Sequence, residues 1–310
     1  MMKINNPQPD IIPCPDMSLL EDPVLSQLVE NERELWGHDG YKEYVVCQNR
    51  DCRTLQSIED VYGERADKPL AELEKNGPEI PNCPTCSSPC EIFFEPEIFV
   101  MYMRDYLSKG FFGALLMDKE GGLMGHTIAM RGIRCQVMGL LNYRQSYGTE
   151  ICLKRMSEQL GENPIDAEGA KSTIFVSRIG IDSSLRGQGF YAKLTKAMLD
   201  IHPEFDGLPI VLETRFDTNA YPLLKALGYI ETQTDQHENV LMVHKNAKAM
   251  SVREILSLPK AQFKERYGAQ FENNRVEREC YIKERQTTKK PRRYIGMPSL
   301  REALLTKQSS

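Results

Sequence analysis

Residues 174–201, IFVSRIGIDSSLRGQGFYAKLTKAMLDI, decide how the rest of the chain is read. Ile174, Phe175, Val176, Ile179 and Ile181 make a run rich in β-branched and aromatic residues, as a strand requires. Phe190, Leu194, Ala197, Met198 and Ile201 instead recur at helical spacing. Between the two runs stands the turn Leu185-Arg186-Gly187-Gln188-Gly189. Glycine lacks a Cβ, so the backbone there can come close to a ligand. The N–H groups that open a helix, with the positive end of its dipole, suit a pyrophosphate.

Working outward, Leu208 to Tyr229 reads as a strand, a polar break, a short helix with Pro222 near its first turn, and a Gly-aromatic stop. Upstream, Phe111–Met117 and Leu123–Arg131 read as strands around Asp118-Lys119-Glu120-Gly121-Gly122, a hairpin signal. Phe99–Leu107 has the pattern of a short helix, Thr149–Leu160 that of another, and Val240–His244 that of a last strand.

The strand, RGQG turn and helix resemble motif A of the GNAT superfamily of N-acetyltransferases, whose pattern is Arg or Gln, two residues, Gly, any residue, then Gly or Ala. Arg186 and Gly189 match it, Gly187 is a frequent companion, and Tyr191 holds the final small position. Leu208–Tyr229 is similar to motif B: Ala220, Leu223, Gly228 and Tyr229 fit, while Leu224 replaces the tyrosine that often protonates the departing thiolate. The resemblance spans roughly residues 97–246. It implies an α/β (α+β) fold with a mixed, mostly antiparallel central sheet flanked by helices, and it implies acetyl-CoA as the acyl donor. It further implies donor binding by Ile179, Gly180, Ile181, Arg186, Gly187, Gln188, Gly189, Phe190 and Tyr191, with an oxyanion donor among Ile179–Ile181. The acceptor that the resemblance implies is an amine, small molecule or macromolecule, that attacks the thioester directly in a ternary complex.

An amine acceptor arrives mostly as ammonium, because a lysine-like group titrates near 10.4, so a base must take its proton. The motif A strand carries no carboxylate; Glu213, on the opposite strand face from Ile210, Leu212 and Phe216, is the candidate base. A salt bridge to Arg215 or Arg178 is its alternative role. Tyr221, near the start of the motif B helix, is the candidate to replace the hydroxyl missing at Leu224. His126 is a weaker candidate for proton transfer. Tyr143, Arg144 and Tyr147, in the insertion between Ile133 and Ala170, are acceptor-contact candidates.

A second chemistry lies nearer the amino terminus. Cys47 and Cys52 enclose four residues, thirty follow, and Cys83 and Cys86 enclose two. Paired cysteine turns supply the four soft ligands that Zn takes at tetrahedral corners, and four thiolates leave no open position, so the site is structural. The pattern resembles a zinc ribbon or knuckle. Cys90 is a fifth candidate, able to stand in for Cys52.

The chain has 310 residues, 41% of them hydrophobic, and a formal charge of -5. It has no apolar run of membrane-spanning length and no amino-terminal signal pattern, so no membrane partner and a cytoplasmic setting are expected. Four parts are expected: residues 1–40 as an extended proline-spaced arm and a helix within Ser18–Trp36, 41–96 as the zinc module, 97–248 as the acetyltransferase domain, and 249–310 as a basic helical extension. From Ala249 onward 14 Lys and Arg face 7 Asp and Glu, a balance of +7 against -12 for the residues before it. Polyanions therefore find their one attractive segment there, with Phe263, Tyr267 and Phe271 at spacing four and the run Lys289-Lys290-Pro291-Arg292-Arg293-Tyr294. Tyr191 and Leu224 favour a second reading, a non-catalytic zinc-containing adaptor that keeps the fold and meets RNA or a protein through that extension.

Overall fold

The structure is a computed structural model that describes residues 9–38, 43–75, 80–134, 136–137, 149–162, 171–216, 218, 220–234, 239–245 and 252–288. The chain divides into two compact units, one holding residues up to Met17 and Gly110–Thr288, the other running from Ser18 to Lys109.

The first strand, β1 (Asp10–Cys14), pairs antiparallel with β5 (Phe111–Met117) and forms an edge of a seven-stranded sheet. The amino-terminal residues read as an extended arm are thus extended, and they are paired. Pro13 lies inside β1, and an edge strand tolerates proline because only one side of the strand needs hydrogen-bond donors.

Between these two neighbouring strands the chain builds the second unit. Helix α1 (Asp22–Gly37) carries a proline in its first turn and packs on α4 (Pro96–Leu107). A three-stranded sheet has β2 (Val45–Cys47) between β3 (Leu55–Gln56) and β4 (Cys90–Ile92). The charged stretch between the cysteine pairs, whose sequence says little by short-range pattern, folds into β3, α2 (Ile58–Tyr62) and α3 (Leu70–Glu74). Ser57 and Asp60 form a reciprocal capping box that starts α2. Tyr44, Val45, Ile58, Tyr62, Ala66 and Leu70 make its core. Arg33 of α1 is buried and donates to Phe94 O at 2.8 Å and to Glu74 at 2.6 Å, so the helix is tied to the sheet module by a satisfied cation.

His38 ends α1 and bridges to α2: its Nδ1 lies 2.6 Å from Glu59, and its Nε2 lies 3.6 Å from Glu34. The hydrogen bond to Glu34, and then that to Glu59, lift the imidazole to a pKa of about 8 despite partial burial. A raised folded-state pKa means the contribution is complete below the unfolded value near 6.5 and is lost as pH rises through about 8. At this half-buried, screened site it is on the order of 1 kcal/mol. We therefore expect the second unit to melt lower at pH 9 than at pH 6, and His38→Gln to remove that difference; equal pH sensitivity in the variant would exclude His38 as its source.

The remaining strands are β6 (Leu123–Ile133), β7 (Ser172–Ile181), β8 (Ile210–Arg215), β9 (Ile230–Thr234) and β10 (Asn239–His244). Sheet order is β1-β5-β6-β7-β8-β10-β9, antiparallel throughout except for the β7–β8 pair. Helix α5 (Thr149–Leu160) contacts β9 and β10. The opposite face is covered by α6 (Phe190–Asp200) and α7 (Ala220–Ala226), with α8 (Val252–Leu256) beside α6 and the 29-residue α9 (Lys260–Thr288) along α7.

The core on that face joins Ala129, Ile174, Val176, Ile210, Leu212, Val240 and Met242 of the sheet to Phe190, Leu194 and Met198 of α6 and Leu224 of α7. Each such large side chain contributes roughly 1.5–3 kcal/mol by leaving water. The aromatic stripe of the extension meets this core: Phe263 and Tyr267 pack against it and touch each other with ring centroids 5.2 Å apart. Both rings are thus partly used in packing. No described helix is long and apolar enough to cross a membrane.

The insertion after β6 is tied down at its neck. Arg134, buried, pairs with Glu162 in a fork in which one contact measures 3.0 Å, and Lys171 reaches the same carboxylate at 3.2 Å. Arg134 N–H also donates to Lys171 O at 2.9 Å. Arg134 holds the Glu162 carboxyl below its usual range. Glu162→Gln would leave a buried guanidinium without its counter-charge, and we expect it to cost about 3 kcal/mol of unfolding free energy. Denaturant titration checks this; a loss below about 1 kcal/mol would show that other groups balance Arg134. Tyr143, Arg144 and Tyr147 lie outside the described residues.

Candidate active site and metal centre

The parallel strands β7 and β8 stay together for only three register pairs, Ile174↔Ile210, Phe175↔Val211 and Val176↔Leu212. Both continue beyond, to Ile181 and Arg215, without pairing further, so they part into a cleft. At the parting point β7 has a bulge: Ile128 of β6 pairs with Arg178 and Ala129 with Val176, leaving Ser177 as the extra residue.

The bulge changes which backbone groups face the cleft. Ile174 N–H bonds to Pro209 O, on the β8 side, at 2.9 Å, whereas Asp182 N–H bonds to Met124 O, on the β6 side, at 2.9 Å. In an unbroken strand two even-numbered residues would face the same neighbour. The extra residue reverses the parity, so Gly180 faces β6 while Ile179 and Ile181 turn their N–H and C=O toward the open edge. Arg186 Nε donates to Ile181 O at 3.2 Å on that edge. The bulge is absent from our sequence reading, yet the signal was present: apolar side chains occupy 174 and 176, then 179 and 181, a one-residue slip in alternation.

The turn after β7 closes by local bonds. Asp182 accepts from Ser184 N–H at 2.8 Å and Gln188 Nε2 donates to Ser184 O at 2.9 Å. Gly187 and Gly189 hold φ of 74° and 84°, the left-handed region, and Gly189 caps α6. The first bond of α6 from the cap runs from Lys193 N–H to Gly189 O at 3.3 Å. Among the described residues the N–H groups of Gly187, Gly189, Phe190 and Tyr191 meet no acceptor, which is the donor set an anion needs. Tyr191, at the position that is small in motif A, packs inward against the core, and burial pushes its phenol far above the ordinary range.

Glu213 lies on the sheet face opposite Ile210 and Leu212, half-buried, directly across from Leu241 of β10. Tyr221 is buried and donates to Glu231 Oε1 at 2.5 Å, a carboxylate that also accepts from Lys225 at 2.6 Å. Burial and then Glu231 raise its phenol strongly. Glu231 belongs to β9, which is separated from β8 by β10, so this hydroxyl is directed away from the cleft. Leu224 is core. The structure thus brings Ile179–Ile181 and Arg186–Tyr191 to one cleft with Glu213 beside it, and leaves Tyr221 with a partner elsewhere.

In the other unit Cys47, Cys52, Cys83 and Cys86 converge, their sulfurs all within 4.8 Å of one another. Cys47–Cys86 measures 3.5 Å and Cys52–Cys83 3.7 Å, close to the separation of about 3.8 Å that tetrahedral Zn–S bonds of 2.3 Å impose. Thr85 N–H donates to Cys83 Sγ at 3.4 Å, an amide aimed at a sulfur that would carry charge. The donor set fits a closed thiolate site. Cys90 packs beside the cluster, opposite Cys47 in the strand register, and is engaged by Gln56 Nε2 at 3.4 Å. It is not among the four sulfurs that converge.

No family model and no curated protein matches the chain. Solved structures similar to it include the arylalkylamine N-acetyltransferase 2 of Aedes aegypti, at 11% identity and a TM-score of 0.37, covering 76% of this chain and 98% of that one. Another is a histone acetyltransferase HPA2 and related acetyltransferase from Corynebacterium glutamicum, at 13% identity and TM-score 0.36, covering 82% and 99%. A third, a polyamine N-acetyltransferase of Drosophila melanogaster, has 16% identity and TM-score 0.31 over 47% of this chain and 79% of its own. At these scores the functional reading rests on the strands, the turn and the side chains themselves.

Proposed function

We propose that the protein is an acetyl-CoA-dependent N-acetyltransferase of the GNAT type. The observation that carries this is the parting of β7 from β8 beyond Val176 and Leu212, with a bulge that turns backbone donors into the opening and a turn of unpaired N–H groups at its end. Acetyl-CoA bound there supplies an activated acetyl group as its thioester. Gly187, Gly189, Phe190 and Tyr191 N–H groups hold its pyrophosphate, and the N–H of Ile179 or Ile181 donates to the acyl oxygen. Glu213 takes the proton of the incoming ammonium. With Leu224 apolar and Tyr221 bonded to Glu231, neither position protonates the leaving thiolate; the nitrogen gives its second proton to water and the thiolate takes one from water, so CoA leaves as the free thiol. In the other unit we propose zinc, held by Cys47, Cys52, Cys83 and Cys86 in a structural role.

Tyr191 and Leu224 support the second reading, a non-catalytic adaptor, whose basic run 289–294 lies outside the described residues. Calorimetric titration of acetyl-CoA into zinc-replete protein separates the two. Binding with turnover of an amine supports the enzyme; a folded, zinc-loaded protein without acetyl-CoA affinity puts the adaptor first.

A further inference from the structure

Beside the four convergent sulfurs stands that of Cys90, which packs against Cys47, Cys52 and Cys83 while Gln56 Nε2 meets it at 3.4 Å. The register of the small sheet gives Cys90 one partner in particular. Cys90 of β4 lies directly opposite Cys47 of β2. Toward β4, Tyr44 O accepts from Phe93 N–H at 2.8 Å and Gln48 N–H donates to Pro89 O at 3.0 Å. Cys47, between them, turns its own N–H the other way, to Thr54 O at 3.0 Å. Cys47 and Cys90 are therefore a pair that exchanges no ladder hydrogen bond. Such pairs bring their Cα atoms to about 4.5 Å with both side chains on one sheet face, the closest approach an antiparallel ladder offers.

That spacing lies within the roughly 4.4–6.8 Å over which two cysteines can be joined by a disulfide. Two features set this pair apart from any pair inside the quartet. A disulfide between two of the four convergent sulfurs would break two metal bonds, whereas one to Cys90, a thiol outside that set, breaks a single one. The β2–β4 ladder also holds Cys47 and Cys90 opposite each other with or without metal, while Cys52, Cys83 and Cys86 lie outside the strands. Access favours Cys90 as the point of entry, since it is half-buried and Cys47 is fully buried.

We propose that Cys47 and Cys90 are an oxidative modification site, a reversible disulfide that forms at the expense of one zinc–sulfur bond, an inference that rests on the zinc reading of the quartet. The oxidant is a peroxide. The Cys90 sulfur bonds to one peroxide oxygen, the oxygen–oxygen bond breaks, and the thiol proton leaves with the other oxygen as water, so that Cys90 becomes a sulfenic acid. The Cys47 thiolate then bonds to the Cys90 sulfur, the sulfur–oxygen bond breaks, and hydroxide leaves. The two sulfurs have given up two electrons and the peroxide has taken them. Three thiolates remain, one fewer than a closed structural site uses.

The test exposes the zinc-loaded full chain to hydrogen peroxide, follows metal release with a chromophoric chelator, and maps disulfides by mass spectrometry of peptides kept unreduced. We expect release of the zinc, a Cys47–Cys90 linkage as the first disulfide, and recovery of zinc binding after dithiothreitol. Cys90→Ser should release zinc at least tenfold more slowly at the same peroxide concentration. Cys280→Ser, which removes an exposed cysteine of α9, should release it at the wild-type rate. Circular dichroism shows whether Cys90→Ser is folded; if it is not, the disulfide map of the wild type alone decides. Release from folded Cys90→Ser at the wild-type rate, a first disulfide between two members of the quartet, or release with no disulfide at all would overturn the proposal and leave the zinc site standing. A wild-type chain that takes up no zinc would overturn both.

Discussion

Gly189→Glu is expected to weaken acetyl-CoA binding at least 100-fold. Gly189 sits at φ 84°, where a side chain adds roughly 1–2 kcal/mol of strain, and open space surrounds the point where a Cβ would stand. Backbone strain and crowding are therefore separable from charge. A glutamate there places a carboxylate among the N–H groups of Gly187, Phe190 and Tyr191, occupying the donors and repelling the pyrophosphate. Gly189→Ala carries the same strain without the charge, and we expect its affinity within about fivefold of wild type. Calorimetry on the pair reads the difference directly. If the glutamate variant, folded, binds acetyl-CoA as tightly as wild type, the turn is not the phosphate site and the donor reading fails.

The second large effect is expected on removal of the proposed metal. Structural zinc in thiolate sites contributes roughly 10–16 kcal/mol of apparent binding free energy near neutral pH, more than a small module's stability. The three-stranded sheet behind the cluster has strands of two or three residues, too short to hold themselves without a staple. Cys83→Ser, or a strong chelator added to the full chain, should expose the segment between Ser18 and Lys109 to proteolysis. The bound zinc should fall from one per chain to none. Cys90→Ser should keep the zinc and Cys52→Ser should lose it; the reverse pair of results would move the fourth ligand to Cys90. Retained metal in Cys83→Ser would remove the proposed site.

Much of this architecture is legible without coordinates because local chemistry fixed it. Phe111–Met117 is read as a strand and is one to the residue, since Asp118 and Gly121-Gly122 end it with turn chemistry. The four cysteines find each other because paired spacing at metal-ligand distance has few other uses. Legibility fails where partners are distant in sequence. Nothing local says that Asp10–Cys14 pairs with residues a hundred positions on, or that Ile230–Thr234 adds a strand beyond β10. The site divides the same way. The glycine turn is readable, being contiguous, whereas the partner of Tyr221 is set by β9.

The place of the second unit, between two adjacent strands, has a kinetic meaning. Pairing Cys14 with Gly113 closes a loop of 98 intervening residues, and for a disordered chain that closure is costlier by about 3 kcal/mol than for a tight turn. A folded second unit that holds its own two ends together shortens the effective loop and lowers that barrier. The order of events then favours the cysteine module folding first and β1 docking onto β5 afterward.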